Sequence, residues 1–392
     1  AETVAMWRWS WRVLGVAALV VLGGCAGVAG LTRPDVLFAD ERFAAPAAPA
    51  DGAALFALSD EMRRFVAAEL VLGTADPRRV LVDALYGRKL HIEYDSTLTR
   101  TAAQAFEDRA GNCLSLVAMT AALAKAMGLP VRFQSLVVDD AWSRSGDLYV
   151  ANGHVNVSLG RKPGRGPSVD PGDDLVIDFL PPEDLRGARA RTIGEDTIVA
   201  MYLNNRAAEL LVAGDIDSAY WHARGAIRRD PRFLAAYNTL AVVYLRRELP
   251  VHAEQVLREV LARDARHTMA MANLAVALQR QGRLAEAQDW SERLQRAESH
   301  APFHFLALGR AALRDGDYAA AKAWLQRELA RDAGYHEVHF WLAVAQHALG
   351  EHDAARRSLE RALDNSTTRA ERELYGAKLA RLKGLARAGA PM

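Results

Sequence analysis

The chain is poor in cysteine: only Cys25 and Cys113 occur in 392 residues. Two cysteines so far apart exclude a disulfide framework and a cysteine-rich zinc module. A charge of one sign is also missing. Lys and Arg number 49 against 48 Asp and Glu, for a formal net charge of +1, which speaks against a nucleic-acid partner. There is no Walker-type phosphate loop and no His-Glu-x-x-His, so phosphate binding and zinc hydrolysis have no motif to rest on. His300 with His304, and His336 with His339, are one helical turn apart. Without a third ligand they read as surface or groove histidines, and no metal or cofactor is expected.

Apolar runs are short as well. The stretch from Val13 to Leu22 falls well under the roughly 20 residues that span a bilayer. It follows the charged Trp7-Arg8-Trp9-Ser10-Trp11-Arg12 and ends in Leu22-Gly23-Gly24-Cys25. That pattern resembles a bacterial lipoprotein signal. The resemblance implies a signal over residues 1–24, lipidation of Cys25, and a lipid-anchored place in the cell envelope. Ala26 follows where an aspartate would imply inner-membrane retention, so the implied site is the outer membrane, facing the periplasm. Residues 25–52, rich in Ala and Pro, read as a semi-extended tether.

What the chain does have begins after residue 52. Ser59 and Asp60 cap a first helix, Pro77 opens a second, and a third runs from Arg100 to Arg109. Arg109-Ala110-Gly111-Asn112-Cys113 then leads into an apolar helix closed by Gly128-Leu129-Pro130. Cys113 falls in its first turn, where unpaired N–H groups and the helix dipole favour a thiolate. An exported protein with Cys25 lipidated leaves Cys113 without a partner, a thiol worth attention. Strands follow over Val131–Val138, Leu148–Ala151, His154–Leu159 and Leu175–Phe179, with a long turn from Arg161 to Asp174. Helices followed by antiparallel strands predict an α+β domain over residues 53–190.

From residue 195 to 392 a repeat takes over. Gly214, Gly282, Gly316 and Gly350 lie on a 34-residue grid, with Glu248 at the one non-glycine node. Ala219, Ala253, Ala287, Ala321 and Ala355 keep the same period, as do Leu240, Leu274, Leu308 and Leu342. The grid resembles tetratricopeptide repeats, which implies an all-α solenoid of helix pairs with a small residue at each crossing. Five units and a capping helix are expected, with Arg206 in the first unit replacing the leucine of the others. Trp221, Trp290, Trp324 and Trp341 read mainly as packing residues.

A nucleophilic thiol needs a base and a group to orient that base. His154 is the one histidine between Cys113 and the repeats. Asp178, an acid in the apolar run Val176-Ile177-Asp178-Phe179, requires a partner if buried. Pairing of the two strands would bring His154 beside Asp178. Gly111-Asn112-Cys113, Met127-Gly128-Leu129-Pro130, Gly153-His154-Val155-Asn156-Val157 and Asp178 together resemble the transglutaminase-like fold, a papain-related arrangement. The resemblance implies that Cys113 attacks an amide carbonyl, His154 shuttles the proton and Asp178 orients the imidazole. Asp170 competes for the third role. The Cys113 N–H would hold part of the oxyanion, with Tyr94 and Gln104 as candidates for the other part. Asn112 reads as a helix cap, and Ser115 as facing solvent or the cleft.

The function expected is thus an envelope lipoprotein in which a thiol enzyme hydrolyses peptide or isopeptide bonds, or transfers an acyl group. Its repeats would bind a protein or peptide, and a lipid would supply the membrane contact. The rival is a non-catalytic adaptor in envelope assembly; cleavage of peptidoglycan amides is a third reading.

Overall fold

A computed structural model describes residues 34–46, 49–71, 76–87, 90–95, 97–137, 142–145, 148–151, 154–161, 174–179, 189–297, 304–331, 333–366 and 369–387. The lipidation candidate Cys25, the rival acid Asp170 and His300 lie outside them. The chain divides into residues 1–38, where a 3-10 turn spans Pro34–Leu37, and residues 39–392. Everything below concerns the second unit.

The element that centres this unit is α4, Cys113–Ala126, in which every residue from Leu114 to Ala124 is buried. A helix apolar all round needs neighbours on every side. They come from α1 (Asp60–Val71), α2 (Pro77–Tyr86) and α3 (Ala102–Asp108), and from a four-stranded sheet. The α2 helix starts as its sequence dictates, with Asp76 accepting the Arg78 N–H and Pro77 in the first turn. Thr101 and Gln104 form a reciprocal capping box on α3.

The sheet is antiparallel, with β3 (Val131–Val137), β6 (His154–Leu159), β7 (Leu175–Ile177) and β8 (Arg189–Ile193) in the order β7-β6-β3-β8. Sequence reading passes over β8. Its residues Arg189-Ala190-Arg191-Thr192-Ile193 are a polar edge strand paired only with β3, and so lack an apolar face to announce it. A hairpin of β4 (Trp142–Ser145) and β5 (Leu148–Ala151) stands apart from this sheet. Two short strands, β1 (Glu93–Tyr94) and β2 (Ala110–Gly111), pair in parallel just ahead of α4.

Antiparallel helix pairs fill the rest of the unit. They are α5 (Glu195–Ala213) with α6 (Ile216–Arg229), α7 (Leu234–Arg246) with α8 (Pro250–Arg263), α9 (Thr268–Arg280) with α10 (Leu284–Ala297), α11 (His304–Arg314) with α12 (Tyr318–Leu329), and α13 (His336–Ala348) with α14 (His352–Asp364). A terminal helix, α15 (Arg369–Arg387), covers the last pair with Tyr375 and Leu379. The grid alanines 219, 253, 287, 321 and 355 are all buried. At the turn nodes the four glycines have φ between 76° and 84°, and Glu248 takes the same left-handed turn at 61°.

Part of the segment expected as a tether is docked. Residues 39–44 and Ala50 meet α6, and Gly52 meets α5. Phe43 stacks on Tyr220, ring centroids 3.9 Å apart, and the Ala39 N–H donates to the Tyr220 hydroxyl at 3.0 Å. Arg224 grips Asp40 through Nε and Nη2, each at 2.9 Å. Trp221 is not simply a packing residue: its indole N–H donates to the Ala44 carbonyl at 2.6 Å. A Cβ at residue 225 would stand 2.0 Å from the Ala50 carbonyl oxygen, so Gly225 sits mid-helix to let the strap's backbone pass.

Candidate active site

Asn112 caps α4, its side chain accepting the Ser115 N–H at 2.9 Å. Such a cap contributes roughly 1 kcal/mol. It also fixes where the first turn begins, and so places Cys113, which is half-buried and is the free cysteine among the described residues. Ser115 does not face solvent or a cleft, as its sequence position suggested. It is fully buried, because its hydroxyl donates to Asn112 and accepts from the Arg100 N–H inside the cap.

The sheet presents the other two groups. In the β6–β7 register Val157 faces Ile177. One step further would set Asn156 opposite Asp178, and His154 on the same face of β6 then reaches Asp178 diagonally. His154 Nε2 and Asp178 Oδ1 are 2.6 Å apart, and Asn156 Nδ2 donates to Asp178 Oδ2 at 3.1 Å. Each carboxylate oxygen thus has its own partner. The Cys113 side chain lies on the other side of the His154 ring, close enough to act on its proton. With Nε2 at the carboxylate, Nδ1 is the nitrogen left to face the sulfur. His154 is 5% exposed and Asp178 13%.

Burial alone pushes an imidazole toward its neutral form. For His154 the hydrogen bonds to Asp178 and Cys113, and their charges, outweigh burial and lift it to about 9. The imidazolium therefore sits between two groups that gain from its charge. The Asp178 carbonyl accepts the Tyr86 hydroxyl at 2.5 Å, and Tyr86 stacks beside Phe179. Burial, then the Asp178 charge, pushes the Tyr86 phenol up to about 12. Tyr86 and Asn156 hold Asp178, and sequence reading assigned neither.

Of the two oxyanion candidates, the structure brings one to the thiol. Tyr94 pairs with Gly111 across β1 and β2, two residues before Cys113. Its hydroxyl lies beside the Cys113 N–H and side chain, while burial and then the Cys113 charge keep the phenol well above its ordinary range. It is a neutral O–H donor at the sulfur. Gln104 is elsewhere, its side chain accepting the Thr101 N–H at 2.9 Å in the capping box.

His336 and His339 go to structure. His336 is buried and bonds the Tyr375 hydroxyl at 3.0 Å, whereas His339 bonds the Ala333 carbonyl at 2.7 Å. The two turn to different partners. Among the described residues no three His, Cys, Asp or Glu side chains group to hold a metal ion.

Comparison with known proteins gives these parts their relatives. Residues 64–162 match the transglutaminase-like superfamily, and residues 268–293 and 306–370 match tetratricopeptide repeats. No curated protein matches the chain. Among solved structures, a thermophilic TPR protein of Thermus thermophilus, TTC0263, is 23% identical over 46% of this chain and 99% of its own, with a TM-score of 0.28. PilF of Pseudomonas aeruginosa is also 23% identical, over 47% of this chain and 84% of its own, with a TM-score of 0.28. YrrB, a TPR protein described as having an unusual peptide-binding site, is 17% identical over 46% and 92%, with a TM-score of 0.25. The chain carries a transglutaminase-like core domain followed by tetratricopeptide repeats.

Proposed function

We propose that the protein is a thiol-dependent amide-bond enzyme whose repeats deliver a protein or peptide substrate. The observation that carries this reading is the meeting of three groups: His154 lies 2.6 Å from Asp178, and the Cys113 side chain lies close enough to act on the same imidazole. Cys113 Sγ, deprotonated by His154, attacks the amide carbonyl, forming a C–S bond and an oxyanion. Tyr94 O–H, beside the thiol, is the donor this reading assigns to that oxyanion. As the carbonyl re-forms, the C–N bond breaks and the imidazolium gives its proton to the leaving amine. Water or a second amine, losing its proton to His154, then attacks the thioester and expels Sγ. Hydrolysis and acyl transfer differ only in that last nucleophile.

Tetratricopeptide repeats generally bind proteins or peptides, so the array is read as the recruiting part. The Leu22-Gly23-Gly24-Cys25 pattern supports a lipid on Cys25 and a place at the outer membrane. The test uses the chain from residue 26 onward with an electrophilic amide-type probe. Labelling confined to Cys113, abolished in Cys113→Ala and strongly slowed in His154→Ala, is expected. A thiol equally reactive with and without His154 would rule the enzyme out. The adaptor reading gains from one observation: the Tyr94 hydroxyl lies beside the Cys113 N–H that an oxyanion would need. Peptide turnover by the same sample separates the two.

A further inference from the structure

The first repeat departs from its array at one grid position. Later units carry Leu240, Leu274, Leu308 and Leu342 there, and the first carries Arg206. Leu240, Leu274 and Leu342 are buried inside the stack, whereas Arg206 turns to a neighbour on its own helix. Its Nη1 donates to Glu209 Oε2 at 2.5 Å. The other oxygen of Glu209 leaves the array altogether. Oε1 accepts the backbone N–H of Thr99 at 2.6 Å, in the segment that leads into α3.

From Thr99 the contacts run straight to the thiol helix. Thr99 is 3% exposed, and its hydroxyl accepts Asn112 Nδ2 at 2.8 Å. The other end of that amide, Oδ1, caps α4 by accepting the N–H and the hydroxyl of Ser115. The amide of Asn112 cannot do both jobs in its flipped orientation, because Nδ2 would then face the Ser115 N–H. So the Ser115 N–H decides which way the amide points, and the Thr99 hydroxyl holds its other end in place. The cap in turn sets the first-turn N–H groups around the Cys113 sulfur. Displacement of a reacting atom by about 1 Å costs on the order of 100-fold in rate.

We propose that Glu209 is a positioning residue for the Cys113 thiol, held by Arg206 and acting through Thr99 and Asn112. The inference rests on the reading of Cys113 as a nucleophile. It gives the irregular first repeat a purpose: Arg206 replaces leucine where the array meets the thiol domain instead of another repeat.

The experiment is alkylation of Cys113 by iodoacetamide between about pH 5 and pH 9, with thermal midpoints alongside, on the chain from residue 26. Glu209→Ala is expected to slow the reaction about ten-fold near pH 6 and to move its profile to higher pH. Glu209→Gln still offers an acceptor to Thr99 and is expected to stay within about two-fold of the parent. Arg206→Leu, which restores the array's own residue, should fall between them. A Glu209→Ala protein that melts lower but alkylates along the parent profile overturns the inference, because the contact is then only structural. Should Glu209→Ala fail to fold, Arg206→Leu decides: a parent-like profile overturns the inference and a shifted one supports it. Failure of the nucleophile reading itself shows earlier, as a parent chain whose alkylation is indifferent to His154→Ala.

Discussion

Two acids of different kinds bracket His154, and each pulls on its proton. Asp178 lies 2.6 Å from Nε2 and the Cys113 thiol lies on the other side. Asp178→Asn keeps the shape of the partner and removes its charge. The imidazole should then titrate well below about 9, which the pH dependence of its NMR ring signals would show. Amide turnover should drop, on the order of 10⁴-fold by analogy with a serine triad that loses its acid. Unchanged turnover would return the third role to Asp170. Stability carries the same signature. A histidine whose folded value is about 9, against an ordinary 6.5, stabilises the fold in full below about pH 6.5. That contribution fades as pH rises through about 9. Urea unfolding should therefore weaken across this window in the parent and much less in His154→Gln; parallel slopes would show that the proton is not held by the fold. At this scale the meeting of Cys113, His154 and Asp178 was legible: Cys113 opened an apolar helix, His154 an alternating strand, and Asp178 was an acid in an apolar run. Tyr94 was only a candidate, because its place at the sulfur comes from a two-residue parallel pairing that leaves no periodicity in the sequence.

Among elements, the turns of the array show a rule and its exception. Four nodes use glycine for a left-handed backbone, and Glu248 bears the same geometry with a side chain, at φ 61°. Such a conformation costs a non-glycine residue roughly 1–2 kcal/mol, and glycine gives back roughly 0.5–1 kcal/mol in unfolded-state entropy. Glu248 is exposed, so its side chain offers little to set against the strain. Glu248→Gly should thus stabilise the protein by about 0.5–1 kcal/mol, read as a higher thermal midpoint. A lower midpoint would mean that the carboxylate contributes more than its exposure suggests. The 34-residue grid made these turns readable because each repeat solves the same packing problem. The β8 strand had no such help: it is short, polar and at a sheet edge, and only its pairing with β3 makes it a strand.

For the unit as a whole, the docked segment is what the sequence hid most completely. Alanine and proline around residues 44–50 read as a spacer, and nothing in a local pattern reports that Asp40 and Phe43 meet residues some 180 positions later. Yet the surface they meet is built for them. Tyr220 offers its ring to Phe43 and its hydroxyl to Ala39 and Asp40, Arg224 holds Asp40, and the Arg247 guanidinium lies 5.4 Å over the Phe43 ring. A solenoid's first repeat has no preceding repeat to cover it. Here the thiol domain meets α5 through Lys125 with Glu195 and through Thr99 with Glu209, while the strap covers α6. Removing a buried phenylalanine costs roughly 3–5 kcal/mol in a closed core, and less where a segment can peel away on its own. Phe43→Ala is therefore expected to release the strap and leave the rest folded. Released, Trp221 loses its bond to the Ala44 carbonyl, so its emission should shift to longer wavelength and the amides of Ala39 and Ala44 should exchange faster. Alkylation of Cys113 should not change, because Phe43 packs on Tyr220 and under Arg247, whereas the Glu209 contact to Thr99 is made from α5. If Trp221 emission and amide exchange stay as in the parent, the strap is held by its ion pair alone, and Asp40→Asn becomes the variant that frees it.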